Sequence, residues 1–248
     1  MPSGGKRLAT TISIYGIGLL LLATIVTGAI ELVQRPRTKL SRVAIGSHDE
    51  VYYYHAATPE EARALGAALQ KTGFLNDRGT TVLLSKGTDG TLVSFALNDG
   101  AWNHPDTIYS FEEIGRRVAT SIGGFPIKVR LIDSHRLLHK ELTVGKLAVG
   151  SRDGVYYFGS ATQADATALA QALRAAGFLQ DQGDAVVLSR NEVTAISFIV
   201  NDGVWDRPDA VAGFERLVRK VAPSVGGLPV QLRLLDGAMA SRKTLAVN

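Results

Sequence analysis

The residues best placed to do chemistry occur twice. The run Asn98-Asp99-Gly100-Ala101-Trp102-Asn103-His104-Pro105-Asp106 returns as Asn201-Asp202-Gly203-Val204-Trp205-Asp206-Arg207-Pro208-Asp209. A carboxylate next to an indole, Asp99 with Trp102 and Asp202 with Trp205, is the material of a small ligand site at a domain rim, and an enzyme built on paired loops would use it. The same residues also have a folding reading. Asn-Asp-Gly supplies a tight turn in which glycine takes a positive φ. Asn103 and Asp206 are then expected to cap the following helix, with Pro105 and Pro208 in its first turn and Asp106 and Asp209 near its positive end. Trp102 and Trp205 would close the end of the core.

Other constellations carry less chemistry. His135 and His139 have metal-pair spacing for a helix but follow a strand, so no metal site is expected. No cofactor is expected either: there is no phosphate-cradling glycine loop, no Gly-x-Ser-x-Gly elbow and no zinc-protease helix. The chain has no cysteine, which excludes thiol nucleophiles, disulfides and thiolate metal sites. Its net charge of +4 is spread among mixed acids and bases without a dense basic block, so nucleic acid is not an expected partner. Glu112 with Arg116, and Glu215 with Arg219, read as solvated ion pairs on a helix surface. The aromatic runs are of more interest: Tyr52 and Tyr54 share one face of a strand, and Tyr156 and Phe158 share the matching face of its copy, so each copy presents an aromatic pair that can bind a ligand or partner.

The elements that position these residues are themselves written twice. Gly46 onward aligns with Gly150 onward, and with one residue removed after Ser85 the match runs to Asp133 and Asp236, about half of the positions being identical. A period of about 104 residues is that of a domain, not of a solenoid repeat. Each copy reads as strand, helix, strand, strand, helix, strand, preceded by a short strand, Val43–Gly46 or Leu147–Gly150, that pairs with the first main strand. Thr58-Pro59-Glu60-Glu61 is a capping box with proline at the first helical position, and Gly73 and Gly177 sit where a C-terminal cap belongs. This series predicts an α+β fold of two tandem ferredoxin-like (βαββαβ) domains arising from internal duplication.

Ahead of the copies, Leu8 to Ile30 passes roughly 23 residues without a charge, against the about 20 that span a bilayer. The expected organisation is a tail at 1–7, a transmembrane helix at 8–33, a stalk at 34–42, the first repeat at 43–144 and the second at 145–248. A cleaved signal peptide is the alternative, since Lys6 and Arg7 precede the apolar run and Thr27-Gly28-Ala29 is a small-residue cleavage site. Positive charges flank the segment on both sides, and the reading adopted is a signal-anchor with the N-terminus in the cytoplasm and the repeats outside it.

The stretch Val51 to Phe74, with its strand, short gap, acidic helix start and Gly-Phe ending, resembles the first half of a SPOR domain. That resemblance implies an open sheet that binds cell-wall glycan behind a membrane anchor. It covers only the first half of each copy, and no binding residues of the family carry over. The sequence thus predicts a single-pass, membrane-anchored, non-enzymatic binding or assembly protein whose partners are the bilayer and a protein or a further copy of itself. The alternatives are a SPOR-like glycan binder and an enzyme at the Asn-Asp-Gly-x-Trp loops.

Overall fold

The computed structural model describes residues 39–88 and 90–248. The apolar stretch expected to span the membrane, 8–33, lies outside them, and no helix among the described residues is long and apolar enough to cross a bilayer.

Capping and turn chemistry set the element ends. Thr58 accepts from the Glu61 backbone and Glu61 reaches back to the Thr58 backbone, which fixes the start of α1 (Pro59–Thr72); Gly73 ends it with φ 79°. Around α1 stand β1 (Ser41–Ile45), β2 (Asp49–His55), β3 (Thr81–Gly87) and β4 (Gly90–Ala96), followed by α2 (Pro105–Ala119) and β5 (Ile127–Ile132). The series then recurs: β6 (Leu138–Val149), β7 (Asp153–Gly159), α3 (Gln163–Ala175), β8 (Ala185–Arg190), β9 (Thr194–Ile199), α4 (Pro208–Val221), β10 (Val230–Leu235) and β11 (Ser241–Val247). Thr162 and Asp165 rebuild the capping box at α3.

The α+β class expected from the sequence is present, but the strand order is not that of a ferredoxin-like domain. The eleven strands among the described residues form one sheet in chain order. β2 is hydrogen-bonded directly to β3 in parallel, and β4 directly to β5, whereas the split βαβ plan requires another strand between the members of each pair. The physical reason is that a period-2 pattern specifies which face of a strand is buried, not on which side of its neighbour the next strand lies. The β3–β4 hairpin suits either side, and here β4 continues outward. Since α1 and α2 share a face while β2 and β3 run opposite to β4 and β5, the two crossovers have opposite hands, one of them against the usual right-handed preference.

Two repeats share this sheet through β6. Its first half pairs with β5, from Ile132↔Leu138 to Ile127↔Val144, and its second half with β7, from Thr143↔Gly159 to Val149↔Asp153. The expected repeat boundary at 144/145 falls inside this strand. Leu142 and Val144 enter the first core, while Leu147 and Val149, of opposite parity, face the second. The helices of the two repeats therefore lie on opposite faces of the sheet. As the sheet curls at β6, the helix-free face of the second repeat folds over α2 of the first, and Phe158, Val187, Leu235 and Met239 join the first repeat's core.

Candidate functional site

The paired loops are built largely as folding elements. Gly100 and Gly203 take φ of 81° and 80°, as the turn reading requires. Each is followed by one 3-10 turn, Ala101–Asn103 or Val204–Asp206, which changes the expected cap: the N-cap positions are His104 and Arg207, neither making a side-chain cap bond, and not Asn103 and Asp206. The 3-10 turn takes up Asn103 and Asp206 in its own backbone bonds, Asn103 N–H donating to Gly100 O and Asp206 N–H to Gly203 O. Pro105 and Pro208 open α2 and α4 as expected.

Both indoles are held in place. Trp102 stacks on His139 with ring centres 3.6 Å apart, and His139 Nε2 lies 3.0 Å from Asp133 Oδ2, a contact that, first among several hydrogen bonds, holds the Asp133 carboxyl below its usual range. In the second repeat Arg242 replaces the histidine, sitting over Trp205 at 5.9 Å and donating to Asp236 at 2.8 Å. His139 is thus a partner of Trp102 and Asp133, and no metal-binding cluster occurs among the described residues. Asp99 and Asp202 are exposed. Asp202 borders an open hollow of about 610 Å³ with Asp184 and Asn201.

A second repeated feature was missed in the sequence although its residues recur there. Asp49, buried, accepts from the backbones of Asp77 and Thr80 at 2.7 Å, and Asp153 accepts from Asp181, Gly183 and Asp184. Burial alone would raise the Asp49 carboxyl, but these backbone donors hold it below the ordinary value. The pair Asp49/Asp77 ties the β1–β2 turn to the loop after α1, since Asp77 accepts in turn from Ser47 and His48. Both carboxyl oxygens of Asp49 and of Asp153 are engaged by the fold's own donors.

The aromatic faces separate the two repeats. Phe158 is 1% exposed, and Tyr156 is half-buried with its ring 5.9 Å from Phe125 and the Arg116 guanidinium 5.8 Å above it. Tyr109 on α2 donates to Met239 O at 2.6 Å, and Asn191 donates to Glu112 Oε1 at 2.9 Å. Along this seam lies an open cavity of about 190 Å³ bordered by Tyr109, Glu112, Asn191, Gln231 and Arg233. Glu112 is therefore not the surface partner of Arg116: it is fully buried, and Arg116 pairs with Glu113 at 2.6 Å. The expected ion pair survives only in the second repeat, where Glu215 and Arg219 are 3.7 Å apart. The difference follows from the covering sheet, which removes α2's outer side from water and leaves α4's in it. Burial pushes the Glu112 carboxyl up to about 7, against the lowering effect of Asn191, and its Oε2 has no hydrogen-bond partner among the described residues.

On the first repeat the corresponding face carries no cover among the described residues. Tyr52 and Tyr54 are half-buried, and Tyr54 borders a hollow of about 180 Å³ with His55, Ser85, Leu92, Lys128 and Arg130. His55 has a positive φ of 58° and places Nδ1 3.0 Å from Ser85 Oγ. Lys128 and Arg130 converge on Glu141, at 3.0 and 2.7 Å. The hollow combines an aromatic wall, a hydroxyl, an imidazole and two cations that share Glu141. No family model, curated protein or solved structure matches this chain.

Proposed function

We propose that the chain is a membrane-anchored, non-enzymatic binding or assembly protein that offers the helix-free sheet face of its first repeat, with Tyr52 and Tyr54, to a partner. The carrying observation is the contrast between duplicated faces: the face bearing Tyr156 and Phe158 is already occupied by α2, while its counterpart has no cover among the described residues. The paired loops offer less, because their indoles are engaged by His139 and Arg242. The membrane anchor in this reading rests on the uncharged run Leu8–Ile30.

A photo-cross-linking amino acid in place of Tyr54, in the full-length chain expressed in cells, tests this reading. A discrete protein adduct is expected, and the same probe at the buried Phe158 position should give none. Loss of peptidoglycan pelleting on Tyr52→Ala/Tyr54→Ala, without a protein adduct, would replace the protein partner by a glycan. Absence of both would overturn the reading.

A further inference from the structure

We infer that the partner of the first repeat's open face is the α4 face of a second copy of this chain, so that copies stack head to tail; this rests on the binding reading above. The argument starts from the seam inside the chain. There the sheet face of one repeat meets the helix face of the preceding one, and because the chain is duplicated, each half of that seam occurs once more with no cover among the described residues. The sheet half is the face of Tyr52, Tyr54, Lys128 and Arg130, matching Tyr156, Phe158, Gln231 and Arg233. The helix half is the outer side of α4, where Glu215, Arg219 and Leu228 stand where α2 and its following loop have Glu112, Arg116 and Phe125.

The chemistry of the two free halves is complementary in the same sense as the internal seam. Inside, Tyr156 lies against Phe125 and under Arg116; between copies, Tyr52 would meet Leu228 and Arg219. Leu228 is 43% exposed, one of few large apolar side chains so placed among the described residues. Inside, Arg233 shares the seam cavity with Glu112; between copies, Arg130 and Lys128, which share Glu141 within the chain, would face Glu215, itself 3.7 Å from Arg219, and join the two pairs into one network. The stacked contact is the weaker of the two, because Ala212 replaces Tyr109 and no covalent connection raises the local concentration. Its association is therefore reversible. The contact is also heterologous, so it does not close on itself in a dimer and propagates to rings or open rows.

Cross-linking of full-length chains in detergent tests the inference directly, because the chain contains no cysteine of its own. Chains carrying Tyr52→Cys are mixed with chains carrying Leu228→Cys and treated with a short bismaleimide. A cross-linked dimer is expected from the mixture and from neither variant alone, with loss of the product when Glu215→Lys is added. The intramolecular counterpart, Phe125→Cys with Tyr156→Cys, should cross-link within one chain. A dimer from Tyr52→Cys alone would mean that the faces meet each other, overturning head-to-tail stacking but not the binding reading. No cross-link, alongside a Tyr54 photo-adduct with a different protein in cells or Tyr52/Tyr54-dependent pelleting with peptidoglycan, overturns the inference and leaves the reading intact; absence of cross-link, photo-adduct and pelleting removes both.

Discussion

Phe158 and Tyr54 occupy matching positions on matching strands, yet one is buried in the core and the other is half-buried at the edge of a hollow. Likewise Glu112 is buried with a raised carboxyl pKa, while Glu215 makes a partly exposed ion pair with Arg219. The two repeats keep similar residue types at these positions, and environment divides their roles. The lesson is that the two repeats are not independent domains carrying equivalent sites: the second completes the burial of the first, and one sheet face and one helix face have no cover among the described residues.

The largest expected effect breaks the comparison at its aromatic pair. Phe158→Ala should cost about 3–5 kcal/mol of unfolding free energy in a denaturant titration, since the seam cannot collapse around the void, whereas Tyr54→Ala should cost about 1 kcal/mol or less. Equal costs would mean that the two faces are equally covered.

The carboxylates sharpen the contrast through pH. Glu112 titrates at about 7 when folded, against an ordinary 4.5, so the folded chain binds the extra proton between those values. The stability linked to neutral Glu112 is complete at the acid end of that window and is lost as pH rises through it, by on the order of 3 kcal/mol. Glu112→Gln should flatten this part of the stability profile, while Glu215→Gln should leave it in place. A profile unchanged by Glu112→Gln would show that this carboxyl is not buried at the seam.

Removing the donor from the seam has a smaller effect. Asn191→Ala leaves Glu112 without its hydrogen bond and should cost about 1–3 kcal/mol at neutral pH, with the Glu112 titration moving further up. The smallest difference is expected where the repeats are alike: Thr58→Ala and Thr162→Ala each remove a capping box and should each cost about 1 kcal/mol. A large inequality between them would show that the environments of the repeats differ beyond the seam.

Much of each repeat was legible because its signals are local. Thr58-Pro59-Glu60-Glu61 specified a helix start, the alternation of Val93 and Phe95 specified a buried strand face, and Gly100 and Gly203 specified a turn. Strand order was not legible, since neither the hairpin nor the alternation records the side on which β4 adds to β3. The seam was hidden for a related reason. Glu112 and Arg116 have the spacing of a surface pair, and only the sheet arriving from the second repeat makes Glu112 an interior residue. One signal did announce that arrival: in β6 the buried parity passes from Leu142 and Val144 to Leu147 and Val149, so a single strand faces two cores on opposite sides. The caps failed at short range, where the 3-10 turns absorbed Asn103 and Asp206.

The central claim, that the first repeat's sheet face is a binding surface, is tested most directly by maleimide labelling of Tyr54→Cys in this otherwise cysteine-free chain. The full-length protein is compared in native membranes and after dilution in detergent. The account predicts rapid labelling when dilute and marked protection in the membrane, where the partner covers the face. Equal labelling rates in both states would contradict it.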